Sequence, residues 1–160
     1  MIGHRGEEVD MVVYQHEAQY YETDQMGIIH HSNYLRWFES ARIQFLKEIG
    51  IDYKKCEEMG IISPVMEVTC TYKSMVHFED VVEVYTRFQD YTGVKFFVTY
   101  EVRDKKTGEL RTTGKSKHCF VDKNGKPISL KRVNPELHER LLAAVEQEPQ
   151  PEENGNCLDK

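Results

Sequence analysis

The sequence predicts an α+β domain in which a five-stranded antiparallel sheet wraps around one long central helix. Three observations carry that expectation. Between Ser32 and Glu48, the residues Tyr34, Trp37, Phe38, Ala41 and Phe45 recur at three- and four-residue spacing, the period of an amphipathic helix. Four later stretches alternate apolar and polar residues at a period of two, which suits a sheet covered on one face. Their connections are short and carry glycine, which makes successive strands antiparallel neighbours.

Residues 11–21 (MVVYQHEAQYY) read as the first strand, with Val12, Tyr14, Ala18 and Tyr20 on one face and His16 among them. Gly27 then permits a close turn. The long helix is expected over Ser32 to Glu48, with Ser32 or Asn33 as its N-cap and Gly50 as its stop. Arg36 and Arg42 each lie beside Glu39 on its surface. A short helical turn, Asp52 to Met59, is closed by Gly60. After Pro64, Met66, Val68, Cys70 and Tyr72 alternate with Glu67, Thr69 and Thr71. Val82, Val84 and Phe88 share a face of the strand around Asp80 to Gln89, and Val94, Phe96, Val98, Tyr100 and Val102 share one in the next. The last strand, about Leu110 to Val121, turns Arg111, Thr113, Lys115 and Lys117 to one side. A short helix from about Pro135 to Val145 precedes a tail, residues 147–160, whose proline, glycine and acidic content predicts disorder. An unpaired strand edge and apolar surface that one helix cannot cover predict a homodimer or homotetramer.

With 160 residues, 39% apolar and 30% charged, the chain suits one globular domain, residues 1–146. No apolar run approaches the roughly 20 residues that span a bilayer. The opening MIGHRGEEVD has no apolar signal core, and Cys56, Cys70, Cys119 and Cys157 show no paired spacing, so the expectation is reduced thiols and a cytoplasmic protein. A net charge of −6 argues against a nucleic-acid partner. Between Arg111 and Arg132, however, seven basic residues face one acid, Asp122. Such a segment fits either a phosphate-bearing partner or a solvated strand face.

The chemistry concentrates in residues 20–42, YYETDQMGIIHHSNYLRWFESAR. Asp24 precedes the turn, and His30 and His31 sit where the helix begins. A helix start exposes unpaired N–H groups carrying partial positive charge. Asp24 has two chemical roles open to it, nucleophile or general base activating water; the structural alternative is a turn-forming or helix-capping aspartate. Backbone N–H groups between Gly27 and Ser32 are suitable oxyanion donors, each worth roughly 3–4 kcal/mol in a transition state. With no serine or cysteine arranged beside a base, the combination suits an activated ester and not an amide. His30 and His31 are adjacent and diverge, so they make a poor metal pair; a set of Asp24, His31 and His16 is the weaker alternative. No metal or cofactor is expected, and no nucleotide-binding glycine loop is present.

The same stretch resembles the signature of the hotdog-fold acyl-CoA thioesterases of the 4-hydroxybenzoyl-CoA thioesterase type. That signature is an aromatic residue, a short acidic segment ending in Asp, then Gly, a His or Tyr, and an aromatic-rich helix with Glu, Ala and Arg. The resemblance spans roughly residues 10–133 and continues through MGIISPVMEVTCTYKSMVHFEDVVEV. It implies hydrolysis of acyl-CoA to a free acid and CoA, with Asp24 as the catalytic carboxylate and the His31 N–H polarising the thioester carbonyl. Gly27, His30, Ser32, Tyr34 and Met66 are the expected substrate contacts, and Lys131 and Arg132 are candidates for the CoA phosphates. Glu22 stands where many members carry aspartate, and the Asp90–Gly93 loop lacks the arginines of some relatives. An acyl carrier protein thioesterase or dehydratase of the same fold, or a non-catalytic acyl-CoA-binding module, are the alternatives.

Overall fold

The computed structural model describes residues 13–147; residues 11 and 12 of the expected first strand, the expected tail beyond residue 147 and Cys157 lie outside them. The strands are β1 (Val13–Glu17), β2 (Val65–Tyr72), β3 (Val81–Gln89), β4 (Lys95–Asp104) and β5 (Leu110–Cys119). They form one five-stranded antiparallel sheet in the order β1-β3-β4-β5-β2. Helix α1 (Asn33–Glu48) lies across one face, followed by α2 (Tyr53–Glu58). Helices α3 (Leu130–Val133) and α4 (Pro135–Gln147) complete the described chain.

The apolar stripe of α1 is the core. Trp37, Phe38, Ala41 and Phe45 are buried against Val82, Val84, Phe88, Val98, Tyr100 and Val102 of β3 and β4. Each buried Val or Phe among them contributes about 1.5–3 kcal/mol by leaving water. Phe38 stacks on Tyr100 with centroids 4.3 Å apart, and Phe45 stacks on Phe88 at 4.5 Å. Gly114 in β5 makes room for the first of these stacks, because a methyl group built there would overlap the Phe38 ring. The alternation read for the last three strands is therefore the alternation of burial. In β5, Thr113, Lys115 and Lys117 face away from α1, while Thr112, Ser116 and His118 are buried; Arg111, at a register shift, instead reaches the buried Asp104.

Three local features differ from expectation. The first strand ends at Glu17, and Tyr20–Glu22 form a single 3-10 turn. Ala18 is fully buried while Tyr20 is 76% exposed, so the period-two pattern runs past the strand's end. The chain curls there so that the Glu22 carboxylate can reach back to His16 Nε2 and the Gln19 N–H, at 2.7 and 2.8 Å. Second, neither Ser32 nor Asn33 caps α1 with its side chain. Ser32 Oγ bonds His30 Nδ1, and the buried Asn33 sends Nδ2 to the carbonyl of Glu22. The Glu22 carbonyl also accepts from the His30 N–H, so Asn33 fills its second lone pair, and a side chain engaged there cannot cap the helix. Third, α1 is not the only cover. Leu130, Leu137 and Leu141 of α3 and α4 are buried in the same core and close the sheet near Gly93. Among the described residues strand β2 is an edge, paired only with β5, and Val65, Met66, Val68 and Tyr72 on it are exposed.

A polar chain crosses this core. Arg42 does not turn to Glu39; its Nη1 donates to Tyr100 Oη at 3.0 Å, which lies 2.8 Å from Ser116 Oγ, itself 2.7 Å from His118 Nε2. Arginine can only donate, so the proton order is set: Tyr100 donates to Ser116, Ser116 donates to His118 Nε2, and Nδ1–H faces the Ser63 carbonyl at 3.4 Å. Burial, with the Arg42 charge adding to it, pushes the His118 pKa down to about 4.

Two outcomes follow from this packing. Gly114→Ala should lower unfolding stability by about 1–3 kcal/mol in urea titration, because the core must shift to admit the methyl group. His118 is expected to stay neutral in the folded chain between its ordinary pKa of 6.5 and about 4. As pH falls through that window the unfolded chain gains a proton that the folded chain refuses, so stability falls, by on the order of 2–3 kcal/mol. His118→Gln should flatten that slope in pH-dependent melting.

Candidate active site

Asp24 begins a tight hairpin. Thr23 and Ile29 form a bridge, the Asp24 N–H donates to Ile28 O at 2.8 Å, and the Gly27 N–H donates to Asp24 O at 3.0 Å. Gly27 has φ of +74°, a backbone conformation that glycine adopts at no steric cost. The Met26 N–H donates to Asp24 Oδ1 at 2.8 Å. The turn-forming role is therefore real, and it occupies one oxygen. Among the described residues Oδ2 has no hydrogen-bond partner. The turn thus orients the carboxylate and leaves half of it available.

Beneath the hairpin sits a buried acid, Glu22. Its Oε1 accepts from His16 and the Gln19 N–H, and its Oε2 accepts from Trp37 Nε1 at 2.7 Å. Its carbonyl accepts from the His30 N–H and from Asn33 Nδ2, each at 2.8 Å. Burial pushes the carboxyl pKa up, but the bonds from His16, Gln19 and Trp37 outweigh burial and hold it below the ordinary carboxylate value. One residue thus ties β1, the hairpin and the first turns of α1 together.

Three N–H groups at the mouth of α1 are paired. The His30 N–H goes to Glu22 O, the Ser32 N–H to His30 Nδ1 at 3.2 Å, and the Asn33 N–H to His30 O at 3.0 Å. The His31 carbonyl accepts from Tyr72 Oη at 2.8 Å. Among the described residues, none accepts from the His31 N–H.

A cavity of about 300 Å³ opens here, lined in part by Asp24, Met26, His31, Tyr34, Tyr72 and Met75. Three of the residues singled out in the sequence, Asp24, His31 and Tyr34, therefore meet at one space. Gly27, His30 and Ser32 shape the turn and the helix mouth without lining it. Met66 lies outside it, exposed on the β2 edge, and so do Lys131 and Arg132, exposed on α3. Two members of the basic segment have partners of their own. Arg111 pairs with Asp104 and Glu109 at 3.2 and 3.1 Å, while Lys115 lies over the Phe97 ring at 4.6 Å. His16 is engaged by Glu22, and no group of three His, Cys, Asp or Glu suited to a metal occurs among the described residues.

Sequence reasoning missed Met26, Tyr72 and Met75 as wall residues and Glu22 as the clamp. Tyr72 was visible only as one position in an alternating strand. Glu22 showed itself only as a departure from the aspartate that the family resemblance implies.

Comparison with known proteins bears on this geometry. The family model described as "Thioesterase-like superfamily" matches residues 18–145. The Bacillus subtilis (strain 168) protein named "Putative acyl-CoA thioesterase YneP" is 38% identical over 123 residues, covering 76% of this chain and 88% of the relative. The crystal structure of a DHNA-CoA thioesterase from Staphylococcus aureus superimposes with a TM-score of 0.79 at 37% identity, covering 82% of this chain and 88% of that one. That of a hypothetical protein from Aquifex aeolicus does so at 0.74 and 36% identity, covering 81% and 98%.

The clamp carries its own prediction. Glu22→Gln keeps the shape but turns an amide N–H₂ toward a group that is itself a donor, and should cost about 1–3 kcal/mol in thermal or chemical unfolding. Because the folded pKa of Glu22 is depressed, its contribution is full above the ordinary value of 4.5 and is lost as pH falls through the lower folded value. The Gln variant should lack that part of the acid sensitivity.

Proposed function

The chain belongs to the thioesterase-like superfamily, and from that premise we propose that it hydrolyses acyl-CoA thioesters to a free carboxylic acid and CoA. The names of the Bacillus subtilis and Staphylococcus aureus relatives support CoA as the thiol carrier. One observation carries the mechanism: Asp24, with one carboxylate oxygen uncommitted, and His31, whose N–H has no acceptor among the described residues, line the same cavity.

In this reading the thioester carbonyl oxygen accepts from the His31 N–H, where the positive end of the α1 dipole favours growing negative charge. Asp24 Oδ2 then attacks the carbonyl carbon, or removes a proton from water that attacks it. The tetrahedral intermediate collapses with cleavage of the C–S bond, and the CoA thiolate leaves. In the first case water hydrolyses the resulting mixed anhydride; in the second the acid forms directly and the Asp24 proton is returned to solvent or thiolate. A thiolate is a good enough leaving group that no serine or cysteine nucleophile is needed. Met26, Tyr34 and Met75 give the acyl group an apolar wall.

The unit that performs this is a single domain within residues 1–146, which the continuous core supports. Exposed Val65, Met66 and Val68 on the one-sided β2 edge support a homodimer, with a tetramer built on it. The free thiols of Cys56, Cys70 and Cys119 fit a reducing, cytoplasmic setting.

Asp24→Asn is the direct test. Free-thiol release from a panel of short, long and aromatic acyl-CoAs should drop by about a hundredfold or more, with little change in melting temperature. Full turnover in this variant would remove Asp24 from the chemistry. Saturable ligand binding without thiol release by the wild type would make the protein a binding module instead.

A further inference from the structure

We propose that Tyr72 is a positioning residue for this hydrolysis, fixing the peptide that carries the His31 carbonyl so that the His31 N–H faces the cavity. The proposal rests on the thioesterase reading above. The geometry behind it is specific. Tyr72 is the last residue of the edge strand β2, yet its Oη reaches the mouth of α1 and donates to His31 O at 2.8 Å. Among the hydrogen bonds that hold residues 30–33, this one comes from the sheet; those to Glu22 and His30 are local.

The ring is held as firmly as the hydroxyl. Tyr72 meets His31 edge-on at 6.5 Å and 81°, and Tyr34 edge-on at 5.2 Å and 72°. Tyr34 in turn lies 4.8 Å from Trp37, the residue bonded to Glu22. The phenol direction is thereby tied to the clamp beneath the hairpin.

Its chemistry excludes a reactive role. Burial, reinforced by the contact with the Cys70 thiol, raises the Tyr72 pKa above its ordinary value. At neutral pH it is a phenol whose one proton is committed to His31 O, so it is neither base nor nucleophile. What it controls is a peptide plane. The other end of that plane, the Ser32 N–H, is held only by a 3.2 Å bond to His30 Nδ1. Because peptide units are rigid, a swing of the 31–32 plane passes through the dihedrals of His31 to the direction of its N–H. An oxyanion donor displaced by a fraction of an ångström loses much of its effect, since misplacement of about 1 Å can cost a hundredfold.

Tyr72→Phe tests this, because it keeps the ring contacts and removes only the O–H. Steady-state thiol release, amide hydrogen exchange at Ser32 and melting temperature are measured on wild type, Tyr72→Phe and Asp24→Asn. The expected result is kcat lower by about tenfold or more, KM within about twofold, faster exchange at Ser32, and melting within about 4 °C of wild type. Wild-type kcat together with wild-type exchange overturns the proposal. So does a kcat loss matched by a rise in KM, or by a larger fall in melting temperature, since either marks a binding or plainly structural role. If Asp24→Asn is inactive while Tyr72→Phe is fully active, only the positioning role fails. If Asp24→Asn is fully active, the hydrolysis reading fails, and unchanged exchange at Ser32 would sink the hold of Tyr72 on the peptide separately.

Discussion

The structure turns on a carboxylate that is not expected to react. Glu22 is buried, and a buried charge is tolerated only where partners satisfy it. Here the partners come from three directions: His16 on β1, the Gln19 N–H on the turn, and the Trp37 indole on α1. Removing any one would leave a desolvated charge short of a donor, so the three elements are locked in one relation. The hairpin of Asp24 and the mouth of α1 are what that lock holds. Placing Asp24 and His31 on one cavity is thus a consequence of core electrostatics as much as of loop geometry.

The rest of the fold makes the lock worthwhile. Aromatic stacking of Phe38 on Tyr100 and of Phe45 on Phe88 seats α1 on the sheet at a fixed rotation. The Arg42–Tyr100–Ser116–His118 chain then resists rotation about the helix axis, because its hydrogen bonds run in only one order. Strand β2 adds a constraint from outside through Tyr72. A helix mouth set from the core by Glu22 and from the sheet edge by Tyr72 has little freedom left. Preorganised donors are useful in catalysis for that reason: little reorganisation is needed when charge develops.

Much of this was legible beforehand, and the reasons are physical. Periodicity reports burial, so the α1 stripe and the buried faces of β3, β4 and β5 could be read directly. Asp24, Gly27 and His31 could be read because turn and helix-start chemistry is local in sequence. The first strand was read too long because alternation continued through Tyr20 while the Glu22 carboxylate pulled the backbone into a turn. The cap was misread because Asn33 answers a buried carbonyl eleven residues earlier, a demand invisible to local propensity. Tyr72 and Met75 reach the cavity through long-range pairing, of β2 with β5 and of the segment after β2 with the Asp24 hairpin, which composition does not encode. The charge run from Arg111 to Arg132 is contiguous in sequence, yet it is divided among a strand, a turn and a short helix.

The central claim is that the His31 N–H is the donor that meets the thioester oxygen. It can be read from the amide resonance of His31 in isotopically labelled protein titrated with an acyl-CoA ketone analogue, in which a methylene replaces the sulfur. The account predicts that this amide proton moves downfield and exchanges more slowly with solvent as the carbonyl docks. An analogue that saturates the protein while leaving the His31 amide where it stood would contradict it.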